Sequence, residues 1–70
     1  MVAAAPQDAR LWNNYGAALN ASGQQTLAVA ALETAVRLDP GLKQAWTNLA
    51  HVYEATGDQV RAQAAAANAR

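Results

Sequence analysis

An all-α fold built from two helical hairpins is predicted by three markers that share one spacing. Trp12 and Trp46, Gly23 and Gly57, and Pro6 and Pro40 each recur 34 residues apart. The words around the tryptophans also repeat, WNNYGAAL at 12–19 being answered by WTNLAHVY at 46–53. Helix formers fill the intervals and β-branched residues are scattered, so glycine and proline decide where helices stop. A glycine about ten residues beyond each tryptophan supplies the left-handed conformation that closes a helix. Each proline removes a backbone donor and biases its predecessor away from helical geometry.

Four helices follow, spanning about Asp8 to Ser22, Gln25 to Leu38, Leu42 to Thr56 and Gln59 to Ala69. In the first, Leu11, Trp12, Tyr15 and Leu19 recur at the spacings of an amphipathic stripe, which places them in the core. Leu27, Ala28, Ala31, Leu32, Ala35 and Val36 form the stripe of the second helix. Trp46, Leu49 and Tyr53 repeat the first pattern in the third, and both Trp–Tyr pairs are expected to be core residues. Asp58, directly after Gly57, is an N-cap candidate for the fourth helix. Gly16 faces Ala28 in the first pair of helices and Ala50 faces Ala62 in the second. Small residues at these sites allow the two helices of each hairpin to approach closely.

Composition limits both the core and the chemistry. Of the 37 hydrophobic residues among 70, 20 are alanine, leaving 17 large apolar side chains to hold the fold. Each contributes about 1.5–3 kcal/mol when fully buried, and a chain of this length buries a smaller share of its surface than a larger domain does. Five basic residues balance five acidic ones without a run of like charge. That pattern argues against nucleic acid, whose phosphates need clustered Lys and Arg. The absence of cysteine removes disulfides and thiolate chemistry without identifying a compartment. No apolar stretch is long enough to span a bilayer, and MVAAA does not read as a signal peptide. A soluble chain follows, with the cytoplasm as the default location.

The motif W-x2-L-G-x2-Y, then A-x3-F-x2-A, then P, on a 34-residue helix-turn-helix period is the tetratricopeptide pattern, and residues 6 to 70 resemble it. Trp12, Gly16, Ala28, Ala35 and Pro40 match in the first repeat, with Tyr15, Leu19 and Leu32 as large-for-large replacements. Trp46, Leu49, Tyr53 and Ala62 match in the second, where Ala50 stands for the glycine. The resemblance implies a short right-handed α-solenoid. Residues 9–42 form repeat 1 and residues 43–70 form repeat 2, which is truncated and ends in an alanine-rich helix. Residues 1–8 precede them as a possible remnant of another repeat, whose closing proline would be Pro6.

One position departs from the pattern. Leu32 is the large residue 20 positions after Trp12, whereas Ala66 follows Trp46 at the same distance. Either the chain is an excerpt of a longer array, or the alanine face of the last helix docks another copy or the next helix. Repeats of this kind generally need about three or more units for stability, and a dimer would assemble four.

Catalytic groups are sparse. Ser22, Lys43 and His51 are each the single residue of their type, and none sits in a recognisable nucleophile–base pair. His51 and Glu54, three apart on a helix, could offer a metal two ligands, with no further His or Cys to complete a site. No enzyme activity, cofactor or metal is expected.

The resemblance instead implies partner binding through the first helix of each repeat. The exposed inner face would comprise Arg10, Asn13, Asn14, Ala17 and Asn20 from the first repeat and Gln44, Thr47, Asn48, His51 and Glu54 from the second. Asn14 and Asn48 are equivalent, and an Asn amide offers donors and an acceptor that match a peptide backbone. Arg10 would add a charge-assisted bond to a carboxylate. The cations of a full carboxylate clamp are partly missing, because Gln44 and Asn48 occupy the second repeat's positions. The expectation is a scaffold binding a protein or peptide, with self-association through the last helix. The alternative is a structural spacer with no ligand of its own.

Overall fold

The computed structural model describes residues 7–70, so Pro6 and the N-terminal segment lie outside the described residues. Four helices run in order: α1 (Ala9–Ala21), α2 (Gln25–Leu38), α3 (Lys43–Ala55) and α4 (Gln59–Asn68). α1 pairs with α2 and α3 with α4, while α3 also packs against both helices of the first hairpin. α2 and α4 do not come together. The result is two hairpins stacked side by side, joined through α3.

Each hairpin turn is built twice from the same bonds. Gly23 and Gly57 adopt φ of 84° and 86°, a region that a residue with a Cβ enters only at a cost. After α1, the Gln24 N–H donates to the Leu19 carbonyl at 2.9 Å and Gly23 N–H to Asn20 at 3.0 Å. After α3, Asp58 N–H donates to Tyr53 at 2.8 Å and Gly57 N–H to Glu54 at 3.1 Å. Both are Schellman closures, which use the last free carbonyls of a helix. Ser22 Oγ and Thr56 Oγ1 each donate to the same carbonyl three residues back, at 3.0 Å.

The caps differ between the repeats. Asp58 accepts from the Arg61 N–H at 3.1 Å, as its place after Gly57 predicts, whereas Gln24 makes no side-chain cap at the start of α2. Asp8 caps α1 by accepting from the Arg10 N–H at 3.0 Å. Between the hairpins, Asp39 Oδ1 accepts from Gly41 N–H, and the Pro40 carbonyl accepts from the Trp46 indole at 2.8 Å. Pro40 therefore both ends the first repeat and anchors the first turn of α3.

Leu32, Leu49 and Val52 are the largest fully buried side chains. Leu19, Ala28, Ala31, Ala50, Tyr53, Ala62 and Ala65 surround them, with Trp12, Val29, Val36 and Trp46 packed half-buried at the edge. A satellite of Ala9, Ala35 and Ala45 joins α1, α2 and α3. The close approach in the first hairpin is tight: a Cβ on Gly16 would lie 2.6 Å from Leu32 Cγ and 3.3 Å from the Ala28 carbonyl oxygen. The core expectation fails at three positions. Leu11 and Tyr15 are 52% and 48% exposed, and Leu27 is 52% exposed. The reason is positional, because α3 covers one flank of the first hairpin and, among the described residues, no element lies on the other. Tyr15 covers part of its ring against Trp12 in an edge-to-face contact at 6.1 Å.

Tyr53 clips α3 to α2. Its partly buried hydroxyl donates to Glu33 Oε2 at 2.7 Å, and burial, followed by the adjacent carboxylate, pushes its pKa from about 10 up to about 12. A raised folded pKa means that the folded state holds a proton which the unfolded chain releases above pH 10. This contribution to stability is complete below pH 10 and is lost as pH rises toward 12. Thermal melts across that window are expected to show a steeper fall for the native chain than for Tyr53→Phe; equal slopes would contradict a stabilising Tyr53–Glu33 bond.

Candidate partner-binding face

α1 and α3 lie alongside one another, and their seam carries a polar link between the repeats. The Asn48 side-chain amide donates to Asn13 Oδ1 at 2.8 Å, across 35 residues of sequence. Asn13 is only 6% exposed and is the buried polar residue of the core. The expectation of an exposed Asn13 is thus corrected. The residue sits on the flank of α1 that receives α3, and Asn48 supplies the partner that a buried amide requires. Asn13 gives its oxygen to this bond and keeps its amide donors, while Asn48 keeps its oxygen and a second N–H.

Beside the link, Asn13, Lys43, Gln44, Thr47 and Asn48 line an open polar pocket of about 400 Å³. Four of these were expected from sequence; Lys43 was not. Its signal was available, since it lies one turn before Thr47, but as the first residue of α3 it reads as a boundary. Thr47 Oγ1 donates to the Lys43 carbonyl at 3.0 Å, which leaves the hydroxyl oxygen free to accept. The pocket therefore combines amide donors and acceptors with one ammonium group.

The other expected residues fall elsewhere. Arg10 is exposed and lines a separate pocket with Gln7, Asp8, Ala9, Leu38 and Asp39. His51 and Glu54 rim a cleft of about 280 Å³ with Thr47, Ala50, Ala66 and Ala69. Asn14 and Ala17 are exposed and line none of these pockets, and Asn20 is half-buried. The equivalence of Asn14 and Asn48 holds in sequence but not in environment: Asn48 is hydrogen-bonded to the neighbouring repeat, and Asn14 meets no such neighbour among the described residues. Among the described residues no group of three or more His, Asp or Glu side chains could hold a metal ion.

A larger, apolar cleft of about 480 Å³ opens between α2 and α4. Trp46, Leu49, Tyr53 and Val36 contribute to its lining, and Glu33, Arg37 and Arg61 stand around it. Sequence reasoning missed it because it arises from the gap between two helices whose backbones stay apart. No helix is long and apolar enough to cross a membrane among the described residues.

A tetratricopeptide repeat family model matches residues 9–52, more than half of the chain and covering the first hairpin and most of α3. No curated protein matches the chain. The motif spacing, the twice-built Schellman turn and the stacked hairpins agree with that match, and the chain belongs to the tetratricopeptide repeat family, whose members are helical protein-interaction modules.

Proposed function

We propose that this chain is a protein-interaction scaffold that holds an extended peptide along the seam of α1 and α3. The units taking part are residues 9–42 and 43–70. The observation that carries the reading is the Asn13–Asn48 link beside the pocket of Lys43, Gln44 and Thr47. The link holds two amides at a set spacing, so that their remaining donors and acceptor meet a peptide backbone without an ordering cost for the side chains. Lys43 adds attraction for a carboxylate on the peptide, in place of Arg10, which lies in a separate pocket. The last helix offers a second surface, to another copy of the chain.

An array of short random-sequence peptides probes this reading. Lys43→Ala and Gln44→Ala, both at exposed positions, are expected to weaken binding of the captured peptides about tenfold or more, as loss of a hydrogen bond to a charged group implies. Equal binding by both variants would remove the seam from the account. Capture of no peptide at all would favour the spacer reading.

The apolar cleft between α2 and α4 supports a second location, for a partner that buries one apolar side chain. Its wall of Trp46 and Leu49 suits such an anchor.

A further inference from the structure

The two end faces of the molecule repeat, in altered sizes, the two sides of its internal joint. Within the chain α3 docks on the first hairpin through Ala45, Asn48, Leu49 and Val52. Ala45 sits against Ala9 and Ala35, and Asn48 bonds to Asn13. Thirty-four residues earlier, the same stripe on α1 reads Leu11, Asn14, Tyr15 and Ala18, and every member is exposed. The receiving side of the first hairpin includes Asn13, Gly16, Leu32 and Ala35. Its equivalents on the second hairpin are Thr47, Ala50, Ala66 and Ala69, which line the 280 Å³ cleft beside α4.

The size changes on the two faces compensate. Inside the chain a leucine at 49 is buried in the same cluster as a leucine at 32. Between the ends the larger Tyr15 would meet the smaller Ala66, and Leu11 in place of Ala45 and Ala50 in place of Gly16 outweigh Ala18 in place of Val52, so the volume lost at position 66 is regained across the joint as a whole, and volume-conserving exchanges of this kind are the ones packing tolerates. The hairpin beneath has adjusted as well. A Cβ at Gly16 would collide with Leu32, and its equivalent Ala50 carries a Cβ because position 66 is alanine. Asn14 would take the role of Asn48, donating to Thr47 where Asn48 donates to Asn13. Lys43 replaces Ala9 on the receiving rim; it is exposed, and its aliphatic stem can lie along Leu11.

We infer that copies of this chain associate head to tail, with α1 of one copy seated in the α3–α4 cleft of the next. This rests on the self-association reading above and specifies it: the contact is heterologous, joining two different faces, so it continues into open chains and does not close as a two-fold dimer through α4.

The test uses light scattering on the native chain and on two variants, Leu11→Glu and Ala66→Glu. Each places a charge at an exposed position on one face, and circular dichroism checks that both remain helical. The native chain is expected to grow in mass without a plateau as concentration rises to about 1 mM, the range of a weak association. Each variant alone is expected to stay monomeric, while their equimolar mixture forms a 1:1 dimer and grows no further, since each retains the face the other lacks. Dimerisation of Leu11→Glu alone would overturn the head-to-tail geometry and leave self-association through α4 standing. A native chain that remains monomeric throughout would overturn both.

Discussion

Leu32→Ala is expected to cost about 2–5 kcal/mol in urea unfolding, the range for emptying a leucine-sized space in a core. A chain of 70 residues has only about 4–10 kcal/mol to lose, so this change alone brings it close to unfolding at body temperature. The size follows from position: Leu32 is fully buried and lies directly over Gly16. The same geometry makes the effect of Gly16→Ala depend on residue 32. In the native chain the new Cβ would lie 2.6 Å from Leu32 Cγ, an overpacking that outweighs the gain of about 1 kcal/mol in helix propensity. With Leu32→Ala already in place the two severe contacts are gone and only the 3.3 Å approach to the Ala28 carbonyl oxygen remains against the propensity gain, so Gly16→Ala is expected to cost far less than in the native chain. The double variant reproduces the pair that the second hairpin carries, Ala50 with Ala66. Equal effects of Gly16→Ala in the two backgrounds would refute the steric coupling.

The second large effect belongs to the link between repeats. Asn48→Ala removes the donor to Asn13 Oδ1, on a residue only 6% exposed. An unpaired buried acceptor costs about 1–3 kcal/mol, so the variant is expected to lose a comparable amount of stability. Asn13→Ala in the Asn48→Ala background then costs less than Asn13→Ala alone, because the orphaned group has left with it. A double-mutant cycle by urea unfolding measures this coupling, and strictly additive losses would show that the bond contributes nothing to the joint. The consequence for function is direct: Asn48 cannot be removed to test ligand binding without also loosening the repeat interface, which is why Lys43 and Gln44 are the better probes of the seam.

Helix order and turn chemistry were legible in the sequence because they depend on local residues. Gly23 and Gly57 adopt the conformation their residue type permits, and Asp58 caps the helix it precedes. The division of core from surface was less so. An amphipathic stripe states which side of a helix is apolar, not which side has a neighbour. Leu11 and Tyr15 belong to the stripe of α1 and face the uncovered flank, while Trp12, Gly16 and Leu19 turn toward the packed one. Asn13 shows the converse, a polar residue buried because another helix delivers Asn48 to it. Helical spacing alone groups Asn13 with the exposed residues around it. Lys43 joins the candidate pocket through the stacking of the hairpins, and the apolar cleft exists only because α2 and α4 stand apart.

The most direct test of the proposed binding face is a chemical-shift map of the ¹⁵N-labelled chain titrated with a peptide captured from the array. The backbone signals of Lys43, Gln44 and Thr47 and the side-chain amides of Asn13, Gln44 and Asn48 are expected to move together, while the outer faces of α2 and α4 stay unchanged. Shifts centred instead on Trp46, Val36 and Ala64, with the seam amides unmoved, would contradict this binding face and place the partner in the apolar cleft.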